Sequence, residues 1–261
     1  LNNIFPEAPP ASEQQIIQEA HDLFLAHHKV FGSQHILDNG ISFNEIFDSV
    51  IYPRTEVRLN DSTYLGNDEN GYLILGRFDP YNNIVYINKQ LIDDNDPRLI
   101  FTAFHEAGGH AVLHGEYLRE NKRNHPELNT TALTIQHEEM QPFEWQANTF
   151  AANLAAPIPF IRLLCKLHFE VGYDRSFIYT KPCVYNLNFM GSCERVKIHS
   201  KNHLARVIAK KIKRFFGGLS TESLSYQVEK AVIKDVSYCG SNNYQDYSVQ
   251  CIGECIKTLY N

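Results

Sequence analysis

The chain has 261 residues, 43% of them hydrophobic and 21% charged, with a formal net charge of −6. That length and balance suit a globular protein with one sizeable core, or a core and an appended subdomain. The negative charge argues against broad affinity for nucleic acid or an anionic membrane surface, and no apolar run approaches the roughly 20 residues that span a bilayer. The opening Leu1-Asn2-Asn3-Ile4-Phe5-Pro6 lacks the basic and apolar regions of a signal peptide, so the expected location is cytoplasmic.

From Ser12 to Val30 the apolar period gives an amphipathic helix, with Ile16, Ala20, Leu23, Phe24 and His27 on one face. Ser42-Phe43-Asn44-Glu45 reads as a capping box opening a short helix through Ile46, Phe47 and Val50. Strands are expected at 54–59, 71–78 and 83–88, the last two joined by an Asp79-Pro80-Tyr81-Asn82 turn. The strand Asn83-Ile84-Val85-Tyr86-Ile87-Asn88 reads either as simply packed or as an exposed edge that binds substrate backbone. Asp96-Pro97 then starts a helix, with Asp as N-cap and Pro at the first helical position. A few strands followed by packed helices give an α+β domain.

That helix carries Phe104-His105-Glu106-Ala107-Gly108-Gly109-His110. Two imidazoles and a carboxylate at this spacing come close to H-E-x-x-H, in which two histidines one turn apart bind zinc and the glutamate activates water. The spacing here is longer by one residue, H-E-x-x-x-H. On a regular α-helix, residues five apart sit about 140° from each other, too far to share an ion. A π-bulge restores the shared face, and Gly108-Gly109 make the backbone permissive for one. His110 and His114, four apart, form an alternative metal pair.

A catalytic zinc site needs a third protein ligand and an open position for water. In Pro142 to Pro157 the apolar residues 143, 147, 150, 151 and 154 follow the helical period. Glu144 shares a stripe with Ala147, Asn148 and Ala151, so small residues allow close approach to the Gly108-Gly109 helix. Glu144 is the expected third ligand, and Asn148 the expected hydrogen-bond partner of a ligand histidine. Glu138 and Glu139 compete with Glu144 but lie off that stripe.

Further on, Leu204 to Phe216 reads as a helix burying 204, 208, 212 and 215, ended by Gly217-Gly218. Its other face carries Arg206, Lys210, Lys211, Lys213 and Arg214, which is either solvated or a docking surface for an acidic partner or nucleic acid. All six cysteines (Cys165, Cys183, Cys193, Cys239, Cys251 and Cys255) fall in the C-terminal part and are expected as free thiols. A structural zinc on Cys183, Cys193 and the 239–255 group is the alternative.

These residues resemble the ImmA/IrrE metallopeptidases, intracellular bacterial proteases. Members carry F-T-x-x-H-E-x-G-H-x-x-L-H and later E-x-x-A-N-x-F-A-A-x-L-x-x-P. Here the first runs from Phe101 to His114 with one residue added, and the second from Glu144 to Pro157. Gly76 to Asn88 resembles the strand–turn–strand before the active helix, and Phe216 to Leu224 the short helical element that follows. The longer H-E-x-x-G-H spacing has a zinc-binding precedent in certain dipeptidyl peptidases. The resemblance implies a small zincin-like, gluzincin-type core over 1–157, with a short antiparallel or mixed sheet and an active-site helix. Residues 158–261 would form a mainly helical extension. It implies one catalytic Zn2+ on His105, His110 and Glu144, with Glu106 as general base. The implied activity is endopeptidase action on a protein substrate, in a regulatory role against a DNA-binding repressor or similar protein. No membrane partner is expected, and direct nucleic-acid binding is disfavoured. The rival is a catalytically inactive protease scaffold, its site spoiled by the extra glycine, that works by protein binding alone.

Overall fold

The computed structural model of the chain describes residues 8–124, 141–168, 177–179 and 183–235. Ser12 opens the first helix: its hydroxyl accepts from the Gln15 N–H while Gln15 Oε1 accepts from the Ser12 N–H. This reciprocal capping box satisfies two otherwise orphaned donors. The helix α1 (Glu13–Asn39) buries Ile16, Ala20, Leu23, Phe24 and His27, the face marked by the apolar period. Gly32, at φ 78° and ψ 165°, interrupts it with a conformation that L side chains disfavour. The chain packs as two units, residues 1–30 with 42–155 and residues 31–41 with 156–261.

In the first unit, α2 (Phe43–Ile46) passes through a π-helical segment, Phe47–Ile51, into α3 (Tyr52–Thr55). Ser42 is the N-cap of α2, but its side chain makes no capping hydrogen bond, so the box expected with Glu45 does not form. Residues 54 and 55 are helical, and the strand expected there starts later, as β1 (Arg58–Asn60). The next strand is also shorter than its pattern: β2 covers Gly76–Asp79 and β3 covers Ile84–Ile87. They form an antiparallel hairpin, with Asp79 Oδ1 accepting from the Tyr81 and Asn82 N–H groups in the turn. Strand β1 pairs with β3 in parallel, so the sheet order is β1-β3-β2 and the sheet is mixed. The 83–88 strand is therefore central, which overturns its reading as an exposed edge. Both of its edges already hold a neighbouring strand.

After α4 (Lys89–Asp93), Asp96 Oδ1 accepts from the Arg98 N–H and turns the chain into α5 (Leu99–Ala103). The N-cap is Arg98 rather than the expected Asp96, and Leu99 rather than Pro97 opens the helix, because the Asp96 side chain closes a turn just ahead of it. Phe104 is fully buried and meets Phe43 edge to face, with centroids 5.2 Å apart. This anchors the motif helix in the core beside the sheet. Helix α7 (Gln141–Ala155) buries Phe143, Ala147, Phe150, Ala151 and Leu154, again the positions read from the period.

The second unit holds α8 (Ile158–His168), α9 (Lys201–Ile212) and α10 (Thr221–Val232). Leu204, Ile208, Ile212 and Phe215 are buried, as their spacing requires. Ser220 caps α10 by accepting from the Ser223 N–H. Strands were not expected here, yet β5 (Cys183–Phe189) and β6 (Ser192–Ile198) form an antiparallel hairpin, and β4 (Phe177–Tyr179) pairs in parallel with β7 (Ile233–Asp235). The hairpin places Cys183 opposite Ile198 and Cys193 opposite Asn188. The two cysteines stand five positions apart along it, about 17 Å at 3.4 Å per residue, and cannot share an ion. Cys165 and Cys193 are free thiols. Cys239, Cys251 and Cys255 lie outside the described residues. The result is an α+β chain, mostly helical, with one small mixed three-stranded sheet. Among the described residues no helix is long and apolar enough to cross a membrane.

Candidate metal centre

Helix α5 runs directly into a π-helix, Phe104–His114, which continues as α6 (Gly115–Asn124). Backbone bonds in a π-helix run from i to i+5, so residues five apart come onto one face. A single bulge was expected; the whole motif is wound this way. His105 and His110 consequently meet, their Nε2 atoms 3.1 Å apart and their rings edge to face. Isolated π-helix is rare, so packing must hold it. Helix α7 lies across it: a Cβ on Gly109 would stand 2.6 Å from both Ala147 Cα and Cβ. The extra glycine thus sits at the crossing point, where any side chain would force the two helices apart.

That close approach delivers Glu144 to the histidines. Glu144 Oε2 lies 3.1 Å from His105 Nε2, and Oε1 lies 3.3 Å from His110 Nε2. Ligands held tetrahedrally at about 2.0–2.1 Å from a zinc ion stand about 3.3 Å from one another, so the spacing suits such an ion. One turn along α7, Asn148 Oδ1 is 3.1 Å from His105 Nδ1, the contact expected from the stripe. The Glu144 side chain is 39% exposed against 12% and 7% for the histidines, so the centre opens to solvent on the α7 side.

The second histidine is fixed by a longer path. His110 Nδ1 lies 3.2 Å from His114 Nδ1, and His114 Nε2 lies 2.9 Å from Gln146 Oε1. Gln146 Nε2 donates to the Pro9 carbonyl at 2.9 Å. His114 is wholly buried, and burial foremost brings its pKa down to about 3, so it is neutral and carries one N–H. Both of its nitrogens are engaged away from Glu144. The alternative His110/His114 metal pair is therefore not what the fold assembles; the convergent group is His105, His110 and Glu144. Glu138 and Glu139 lie outside the described residues.

Charge reinforces this geometry. Burial works to raise the Glu144 carboxyl, but the facing rings of His105 and His110 outweigh it and hold it well below the usual carboxylate range. Burial likewise works to lower the His105 pKa; the Glu144 hydrogen bond, with the Glu106 and Glu144 charges, lifts it above its ordinary value. A carboxylate facing two ring nitrogens brings three donor atoms to one locality. The donor set therefore fits a divalent ion, and two imidazoles with a carboxylate suit zinc while accepting other metals.

Glu106, one residue after His105, is buried against β2. A Cβ on Gly76 would meet Glu106 Cγ at 2.7 Å, so that glycine makes room for the carboxylate. The Phe78 N–H donates to it. Burial raises the Glu106 carboxyl, against the lowering charges of His110 and His105. A carboxyl pushed up toward neutral pH is better matched to carrying a proton.

All four expected site residues thus share one locality. Gln146 was not anticipated. The sequence does not single it out, because α7 also carries the amides Gln141, Asn148 and Asn153, and Asn153 is buried as well. The Phe78 backbone contact left no sequence signal, because any residue supplies an N–H. Comparison with protein-family profiles, curated proteins and solved structures finds no match to this chain.

Proposed function

We propose that the chain is a zinc-dependent endopeptidase, and the observation that carries this is the convergence of His105, His110 and Glu144 beside Glu106. His105 and His110 would hold the ion through Nε2 and Glu144 through its carboxylate. A divalent ion there supplies a more acidic water and a polarised scissile carbonyl. Glu106 takes the proton of the attacking water and passes it to the leaving amine. Asn148 holds the His105 ring in place from behind. Solvent access on the α7 side leaves the fourth position reachable by a peptide. The resemblance to ImmA/IrrE peptidases supports a regulatory role, with a repressor-like DNA-binding protein as substrate. The inactive-scaffold reading rests on the extra glycine; the 3.1 Å between the two Nε2 atoms supports the catalytic reading over it.

Metal analysis tests the reading. The purified or zinc-reconstituted protein is expected to hold about one equivalent of zinc, and Glu144→Ala to lose most of it. A parent that binds none, or a variant that binds as well as the parent, removes the proposal. Zinc affinity is also expected to fall with acidity, because ligand histidines must be deprotonated. The His105 pKa is raised, so the fall begins above pH 6.5, the ordinary histidine value, while Glu144 stays ionised throughout. The metal-free protein behaves in the opposite sense. Its His105–Glu144 stabilisation is complete below the unfolded histidine value and is lost as pH rises through the raised one. Titrating affinity and thermal midpoint across neutrality checks both signs.

A further inference from the structure

Gln146 takes no part in the chemistry above, yet it is buried two residues from a ligand and bonded at both ends. Its orientation is unambiguous. The Pro9 carbonyl only accepts, so the amide nitrogen faces Pro9 and the oxygen faces His114. An amide oxygen only accepts, so the His114 proton sits on Nε2 and its Nδ1 is a bare lone pair. His110 Nδ1, 3.2 Å away, must then donate. With its single proton on Nδ1, His110 presents a bare Nε2 toward His105 and Glu144. Turning the amide over would reverse every link and place a proton on His110 Nε2, where a metal has to bind.

We infer that Gln146 is a positioning residue that, through His114, fixes the metal-binding tautomer of His110. Partners of this kind ordinarily bond a ligand imidazole directly; here the instruction passes through a second, nonligating imidazole. The backbone carbonyl of Pro9 sets the direction, so a contact with the segment before α1 defines a proton position at the centre. The functional consequence rests on the metallopeptidase reading, but the tautomer itself does not.

Nitrogen-15 NMR of the full chain, metal-free and above neutral pH, tests the inference together with zinc titration. In the parent, His110 is expected wholly as the Nδ1–H form. Gln146→Leu removes the acceptor at similar volume; His110 is expected to populate both tautomers, and zinc affinity to drop about 10- to 100-fold. Should Gln146→Leu fail to fold, the parent spectrum alone decides, since an Nε2–H His110 overturns the inference. A folded Gln146→Leu with unchanged tautomer and zinc affinity overturns it too. A parent with the Nδ1–H form that takes up no zinc supports the relay and removes the peptidase reading instead.

Discussion

Glu106→Gln is expected to lower peptide hydrolysis by about 10²- to 10⁴-fold while zinc content stays at the parent level. Glutamine keeps the shape and still accepts the Phe78 N–H, but it cannot take a proton. The ligands His105, His110 and Glu144 are untouched, so metal and activity separate. The substitution also removes a buried carboxylate whose charge lies near both ligand histidines, and the fold should tolerate that. Paired measurements of zinc stoichiometry and cleavage of a denatured protein substrate decide the matter. Full activity in the variant would leave Glu106 with a structural role and require another base.

Gly109→Ala is expected to destabilise the protein by about 1–3 kcal/mol and to weaken zinc binding at least about tenfold. The new methyl would stand 2.6 Å from the Ala147 backbone, which cannot swing aside as a side-chain tip can. Helix α7 must retreat, and Glu144, three residues before Ala147, retreats with it. Gly108→Ala is the internal control. Its methyl would meet only ring and methyl atoms of Phe150 and Leu154, at 3.2 and 3.3 Å. Alanine is better than glycine inside a helix by about 0.5–1 kcal/mol, so that gain offsets the milder contact and a near-neutral effect follows. At Gly109 the same gain is outweighed. Thermal melts and zinc titration of the two variants should therefore diverge. Equal, small effects would mean the crossing is looser than its geometry implies and that the extra glycine does not set the position of Glu144.

The periodic positions were legible because burial follows from helical spacing alone. Ile16, Ala20, Leu23, Phe24 and His27, then Phe143, Ala147, Phe150, Ala151 and Leu154, all lie inside. The stripe that placed Asn148 one turn from Glu144 also placed it on His105. Boundaries were less legible. Ser42 and Glu45 have capping-box chemistry, but the box does not form, while Ser12 and Gln15 make one. The Cys183–Ile198 hairpin went unread because its second strand, Ser192–Ile198, is rich in polar and charged residues, and pairing is a property of two segments rather than one.

The residue types, their helical spacing and the surplus glycine were all set by the sequence, as was the requirement that some distortion bring His105 and His110 together. How far that distortion runs, and what sustains it, was decided by tertiary packing. A π-helix is unfavourable by itself, and it persists here because α7 packs on a side-chain-free surface at Gly109. Partners remote along the chain were likewise beyond sequence reading. Phe78 at Glu106, Pro9 at Gln146 and the central place of β3 depend on which surfaces meet in space, and local pattern carries no record of that.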